Sequence, residues 1–166
     1  MSDCLVIIDV QKGFLSPATE DVPSNLKTLL SRRHFDHFVA TQFINTPDSP
    51  YVSRMGWTGL MENTPSTQVD PFVAQVSERI IQKKIYSCFT DEFREFLAQN
   101  SIDRLYFVGI DTDCCVLKSC TDAFESDIPF EVLLNYCASN GGSRGHEAAI
   151  TVMKRTIGAS QMNTAF

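Results

Sequence analysis

Two stretches of this 166-residue chain, Cys4-Leu5-Val6-Ile7-Ile8 and Leu105-Tyr106-Phe107-Val108-Gly109-Ile110, contain no polar side chain, and each stops on an aspartate, Asp9 or Asp111. A strand with one wet face alternates apolar and polar residues. A strand covered on both faces does not, and parallel sheets between helix layers cover their strands in this way. Phe38-Val39-Ala40-Thr41, Arg79–Lys83 and Glu131–Leu134 read as further strands. Helical patterns lie between them: Ser24, as cap, through about Arg33; Glu92 to Asn100; Val116, Cys120, Ala123 and Phe124 as one apolar stripe; and about Arg144 to Ile157, closed by Gly158. Strands alternating with helices at this spacing predict an α/β protein, a three-layer α/β/α sandwich around a central parallel sheet of five or six strands.

At this length one domain spanning residues 1–166 is the expectation, and a hydrophobic content of 43% is ordinary for a globular chain. The net charge of -6 and the lack of any basic run argue against a nucleic-acid partner. No apolar stretch approaches the roughly 20 residues of a membrane span, and no basic region precedes the first apolar run, so a cytoplasmic protein without a membrane partner is expected. Six cysteines show no paired metal spacing, which disfavours a zinc site or a disulfide framework. Cys4, Cys88, Cys120 and Cys137 read as small core residues. Residues Asn45 to Pro71 carry four prolines, two glycines, Tyr51 and Trp57, and a loop of that length reads as a lid or pocket wall inserted at about 45–71.

In sheets of this kind ligands bind beyond the C-terminal strand ends. Asp9, Lys83 and the Asp111–Cys115 loop all fall there although they are far apart in sequence. Cys115 sits at or just before the first turn of a helix, where free N–H groups and the macrodipole favour a thiolate. Packing of a strand-to-helix turn would also explain Cys114 and Cys115. A carboxylate, an ammonium and a thiol together suit nucleophilic cleavage of an acyl bond through a thioester. Lys83 would lower the thiol pKa and hold Asp9 ionised, Asp9 would move the proton, and N–H groups of the turn would receive the oxyanion.

Four blocks in order carry a resemblance: Leu5-Val6-Ile7-Ile8-Asp9-Val10-Gln11 with Phe14; Lys83-Lys84-Ile85-Tyr86-Ser87-Cys88-Phe89; Gly109-Ile110-Asp111-Thr112-Asp113-Cys114-Cys115-Val116 with Asp122-Ala123; and Cys137-Ala138-Ser139 followed by His146. The chain resembles the isochorismatase-like cysteine hydrolases, a superfamily that includes nicotinamidases and N-carbamoylsarcosine amidases, with a Rossmann-like fold. The resemblance implies a catalytic Asp9, Lys83 and Cys115, with Cys114 a variable neighbour. It also implies a cis Ile110–Asp111 peptide and an oxyanion hole from the N–H groups of Asp111 and Cys115. Strand alternation separately sends Lys84 to the face opposite Lys83.

The implied reaction is hydrolysis of a C–N bond in a small-molecule amide or ureide, with no cofactor and a homodimer or larger homo-oligomer as the working form. No metal is expected, because Thr41-Gln42-Phe43-Ile44-Asn45 stands where metal-binding relatives carry histidines, and no His occurs between there and His146. Gln11, Phe14, Phe43, Trp57 and Tyr86 are candidate substrate contacts that ordinary packing would equally explain. His146 is expected to support the loop after Ser139 rather than to catalyse. Asp111 is an unusual acid beside an oxyanion hole; the expectation is that its side chain points away, and if it faced the pocket it would disfavour anions. The rival activities are vinyl ether hydrolysis on the same scaffold, a haloacid-dehalogenase-like phosphatase reading of Asp9-x-Gln11, a non-catalytic interaction subunit, and a redox role for Cys114-Cys115, which the strain of a vicinal disulfide opposes.

Overall fold

The two aspartate-terminated runs lie side by side. In the computed structural model, which describes residues 2–165, β1 (Ser2–Ile8) pairs in parallel with β4 (Ile102–Ile110), Ile7 against Val108 and Ile8 against Gly109. The sheet continues on one side through β2 (His37–Phe43) and β3 (Arg79–Lys83), and on the other through β5 (Phe130–Ala138) and the two-residue β6 (Met162–Asn163). Its order is β3-β2-β1-β4-β5-β6, every pairing is parallel, and the six strands meet the expected number.

Alternate residues of β1 divide the core into two halves. Cys4, Val6 and Ile8 pack with α4 (Asp91–Gln99), α5 (Leu117–Glu125) and α6 (Gly142–Thr156) through Phe93, Cys120, Ala123 and Met153. Leu5 and Ile7 face the opposite way, toward Val22, Leu26 and Leu29 of α1 (Val22–Arg32) and Val73 of a short helix, Pro71–Val76. The unbroken apolar run thus reflects two covered faces, as the sequence implies. The chain winds outward from β1 one way and from β4 the other, so the crevice between the ends of β1 and β4 is the switch point where such sheets receive ligands.

Gly109 makes the close approach of these strands possible. Its φ is +119°, and a Cβ there would lie 2.1 Å from the Ile8 carbonyl oxygen. The pairing of β4 with β5 shifts register between Phe107 and Gly109, so the strand end is redirected where it meets the crevice.

Several local expectations are corrected. Ser24 does not cap α1: the helix starts at Val22 behind Asp21, with Pro23 in its first turn, and the Ser24 hydroxyl donates to the Asp21 carbonyl. The 45–71 segment is not structureless. It contains α2 (Pro50–Met55), capped by Ser49 on Val52 N–H, and a 3₁₀ turn at Pro65–Thr67. Asn45 ties it down by donating to the carbonyls of Trp57 and Gly59 and accepting from Ser49 and Thr46. Pro71 opens α3 (Pro71–Val76), whose cap is Asp70, an Asp-Pro start signal that composition alone had assigned to the loop.

Candidate active site

Asp9 follows β1 in the left-handed region, φ +51°, a conformation that aspartate tolerates better than most residues, and this turn directs its carboxylate inward. Its N–H donates to Thr41 Oγ1 at 3.1 Å, and Thr41 Oγ1 donates to Asp9 Oδ1 at 2.6 Å. Lys83 is the last residue of β3. The alternation expected from the strand is seen, with Lys83 buried and Lys84 exposed. Lys83 Nζ lies 2.7 Å from Asp9 Oδ2, and neither side chain exposes any surface. It donates to the carbonyls of Ile85 at 2.9 Å and Tyr86 at 3.1 Å and approaches Cys115 Sγ at 3.5 Å.

An ammonium has three protons. Those of Lys83 have directional partners in the two carbonyls and the sulfur, so its 2.7 Å approach to Oδ2 is a charge contact without hydrogen-bond direction. Asp9 Oδ2 is the buried side-chain oxygen among the described residues that accepts no hydrogen bond from these cations and hydroxyls. The same carboxylate acts on the Cys115 thiol, raising its pKa. An unsatisfied carboxylate oxygen beside a thiol is set to take that proton.

Cys115 belongs to a π-helical turn, Thr112–Val116, that leads directly into α5, and the Ile110–Asp111 peptide before it is cis, as the resemblance implies. The turn is braced from α6 and the loop before it. Thr112 Oγ1 is 2.8 Å from His146 Nδ1, and Ser139 Oγ donates to Asp113 Oδ1 at 2.6 Å. Gly145 lets α6 come close, since a Cβ there would meet Ser139 Oγ at 2.7 Å and Asp113 Oδ2 at 2.9 Å. His146 therefore supports the nucleophile turn through Thr112 rather than touching the thiol.

The expectation that the helix start favours a thiolate is overturned. Burial first, and the Asp9 carboxylate second, push the Cys115 thiol well above its ordinary 9.0, against the pull of Lys83. The positive end of α5 does not reverse this, because the cysteine is 3% exposed and desolvation of the anion dominates. Burial pulls the Lys83 ammonium the other way, but Asp9 and then Cys115 outweigh it, so its pKa is raised. The resting site is a neutral thiol beside a carboxylate–ammonium pair.

Cys115 lines a cleft of about 390 Å³, with the fully buried Lys83 and Asp9 behind it. Phe14, Phe43, Trp57 and Tyr86, four of the five expected contacts, line it. Gln11 does not. It is fully buried, its amide NH₂ donates to the carbonyls of Phe43 and Thr67 at 2.9 Å each, and its oxygen accepts Phe43 N–H at 2.7 Å. It fastens the end of β1 to β2 and to the Pro65–Thr67 turn, with both side-chain donors used. Tyr51 was legible only as an exposed loop aromatic; it is 7% exposed, packs edge-on against Phe43 and Tyr86, and lines the cleft. Met55, Cys114 and Asn140 also line it.

Asp111 lines the cleft, and its carboxylate is turned to Asn140, which lines the cleft as well. Its Oδ1 accepts both the N–H and the side-chain amide of Asn140, each at 2.8 Å, and Asn140 also donates to the Phe14 carbonyl. Burial raises the Asp111 pKa, and the two Asn140 donors oppose that rise. Asp111, Asp113 and Cys114 bring potential metal-ligand atoms within 4.8 Å of one another, but Asn140 and Ser139 already hold the two carboxylates.

A family model described as the Isochorismatase domain matches residues 3–165. No curated protein sequence gives a significant match. Among solved structures, an isochorismatase-like hydrolase from Alkaliphilus metalliredigens superposes with a TM-score of 0.82 at 20% identity, covering 94% of this chain and 92% of its own. The N-carbamoylsarcosine amidase of Thermoplasma acidophilum gives 0.81 at 20%, covering 95% and 94%. The nicotinamidase/pyrazinamidase of Bacillus subtilis gives 0.79 at 20%, covering 98% and 99%. At these identities the likeness is one of fold.

Proposed function

The chain belongs to the isochorismatase family, and on that premise we propose that it is a cysteine hydrolase cleaving the C–N bond of a small amide or ureide. The observation that carries this reading is the approach of Lys83 Nζ to both Cys115 Sγ and Asp9 Oδ2, behind an open cleft that Cys115 lines. Similarly folded proteins include a nicotinamidase and an N-carbamoylsarcosine amidase, which is consistent with amide chemistry.

Because the resting thiol is neutral, attack and deprotonation go together. Asp9 Oδ2 takes the thiol proton as Sγ bonds to the substrate carbonyl carbon, and the carbonyl π electrons move to oxygen. The N–H groups of Asp111 and Cys115 receive that oxyanion. Collapse expels the amine, which leaves with the proton held by Asp9, and a thioester remains on Cys115. Water then attacks the thioester, giving its proton to Asp9, and the second collapse returns that proton to sulfur as the acid departs. Lys83 holds the Asp9 carboxylate in place at 2.7 Å throughout the cycle.

The test is ammonia release from a panel of small amides and ureides, with acid-quenched mass spectrometry of the Cys115 peptide. The reading expects an acyl adduct confined to Cys115 and loss of turnover in Cys115→Ala. Undiminished turnover in Cys115→Ala would overturn it.

A further inference from the structure

The walls of the cleft carry one sign of charge. Phe14, Phe43, Tyr51, Trp57 and Tyr86 contribute aromatic surface, Asp111 lines the space beside Asn140 with its carboxylate bonded to that residue, and among the described residues no basic side chain lines it. The nearest cation, Lys83, lies below the floor with its charge offset by Asp9 at 2.7 Å. The thiol is neutral. Asp111 is held in place: two donors of Asn140 converge on its Oδ1 and oppose the rise in pKa that burial causes, and Asn140 is itself anchored to the Phe14 carbonyl. Asp113, two residues along the turn, brings a second carboxylate within 4.8 Å of that of Asp111.

Aromatic faces attract organic cations through the ring quadrupole, most strongly where water is excluded, and a fixed carboxylate at their border adds attraction for a cation and repulsion for an anion. We propose that Asp111 is a specificity-determining residue that makes this cleft selective for amides carrying a positively charged nitrogen, such as a substituted ammonium group, over neutral or anionic amides. The proposal rests on the amidase reading for the reaction but not for the binding.

Trp57 is the single tryptophan of the chain and lines the cleft, so its fluorescence reports occupancy without turnover. In Cys115→Ala, three amides of similar size are titrated: (trimethylammonio)acetamide, its neutral isostere 3,3-dimethylbutanamide, and malonamate. The cation is expected to bind about tenfold or more tighter than the neutral isostere, and malonamate weakest. In Cys115→Ala/Asp111→Asn the cation-to-neutral ratio should collapse to below about threefold, the part that aromatic surface alone supplies. Equal binding of cation and isostere, no binding of any probe, or a ratio that survives Asp111→Asn would each overturn the proposal. The comparison within Cys115→Ala stands even if the Asn variant does not fold. Cation-selective binding with no ammonia released by the wild type would instead sink the amidase reading and leave this one standing.

Discussion

Thr41 and Asp9 exchange one hydroxyl in both directions. Thr41 Oγ1 accepts Asp9 N–H at 3.1 Å and donates its own proton to Asp9 Oδ1 at 2.6 Å. Because the hydroxyl is committed as an acceptor from the backbone, its proton can go only to the carboxylate, and Oδ1 is thereby occupied. Oδ2 is left without a hydrogen-bond donor, facing Lys83. Thr41→Val keeps the shape and removes the lock. It should lower stability by about 1–3 kcal/mol, the cost of an unsatisfied buried polar group. It should also reduce kcat by roughly tenfold with little change in KM, while Thr41→Ser retains both. Denaturant unfolding and steady-state kinetics on the same preparations check the pair of effects.

Removing Lys83 should hurt the fold before it hurts the chemistry. Lys83→Met strands the Asp9 carboxylate with no opposing charge and should destabilise by about 3–5 kcal/mol. The double variant Asp9→Asn/Lys83→Met removes both charges and should recover most of that loss in urea unfolding while remaining inactive. If the double variant is no more stable than Lys83→Met, the ion pair is not what the site depends on.

Alkylation of the free enzyme should report a protonated nucleophile. With Cys115 held well above 9.0 by burial and Asp9, iodoacetamide labelling of that residue is expected to be slow at pH 7 and to rise about tenfold per pH unit toward alkaline conditions. Peptide mapping across pH reads this directly; a plateau already reached at neutral pH would mean a thiolate at rest.

The buried thiols as a group should make stability fall in alkali. Burial lifts Cys88 and Cys137 to about 12, and burial with Asp113 and Asp111 lifts Cys114 to about 11, from an ordinary 9.0. Above that ordinary value the unfolded chain releases these protons and the folded chain keeps them. The stabilisation is therefore complete below about pH 9 and lost progressively toward 12. Thermal unfolding at pH 8 to 10.5 should show a falling Tm, with a shallower slope in Cys137→Ala.

Gln11 should behave as a fastening and not as a contact. Gln11→Met leaves two carbonyls and the Phe43 N–H without their partners, and a loss of about 1–3 kcal/mol is expected. Hydrogen exchange should quicken at Phe43 and around Thr67. Unchanged exchange there, with KM alone altered, would restore the view of Gln11 as a substrate contact.

What the sequence determined by itself was local in origin. Runs without polar alternation marked β1 and β4 as doubly covered, the stops at Asp9 and Asp111 placed polar groups at strand ends, and a two-residue period put Lys83 and Lys84 on opposite faces, the family resemblance choosing Lys83. Each follows from neighbours along the chain, where pleat and helical turn impose their own spacing. The helix at Pro71–Val76 and the true start of α1 were also written locally, in Asp70-Pro71 and in Pro23, and were obscured by the composition around them. Only the tertiary structure decided how the site is charged and which way its side chains turn. Thr41 reaches Asp9 across 32 positions, and Asn140 reaches Phe14 across 126. Those contacts choose the free oxygen of Asp9 and bring Asp111 to the cleft. The Cys115 thiol is pushed up because burial and Asp9 outweigh Lys83, and such a balance of distant contacts has no signature in the order of residues.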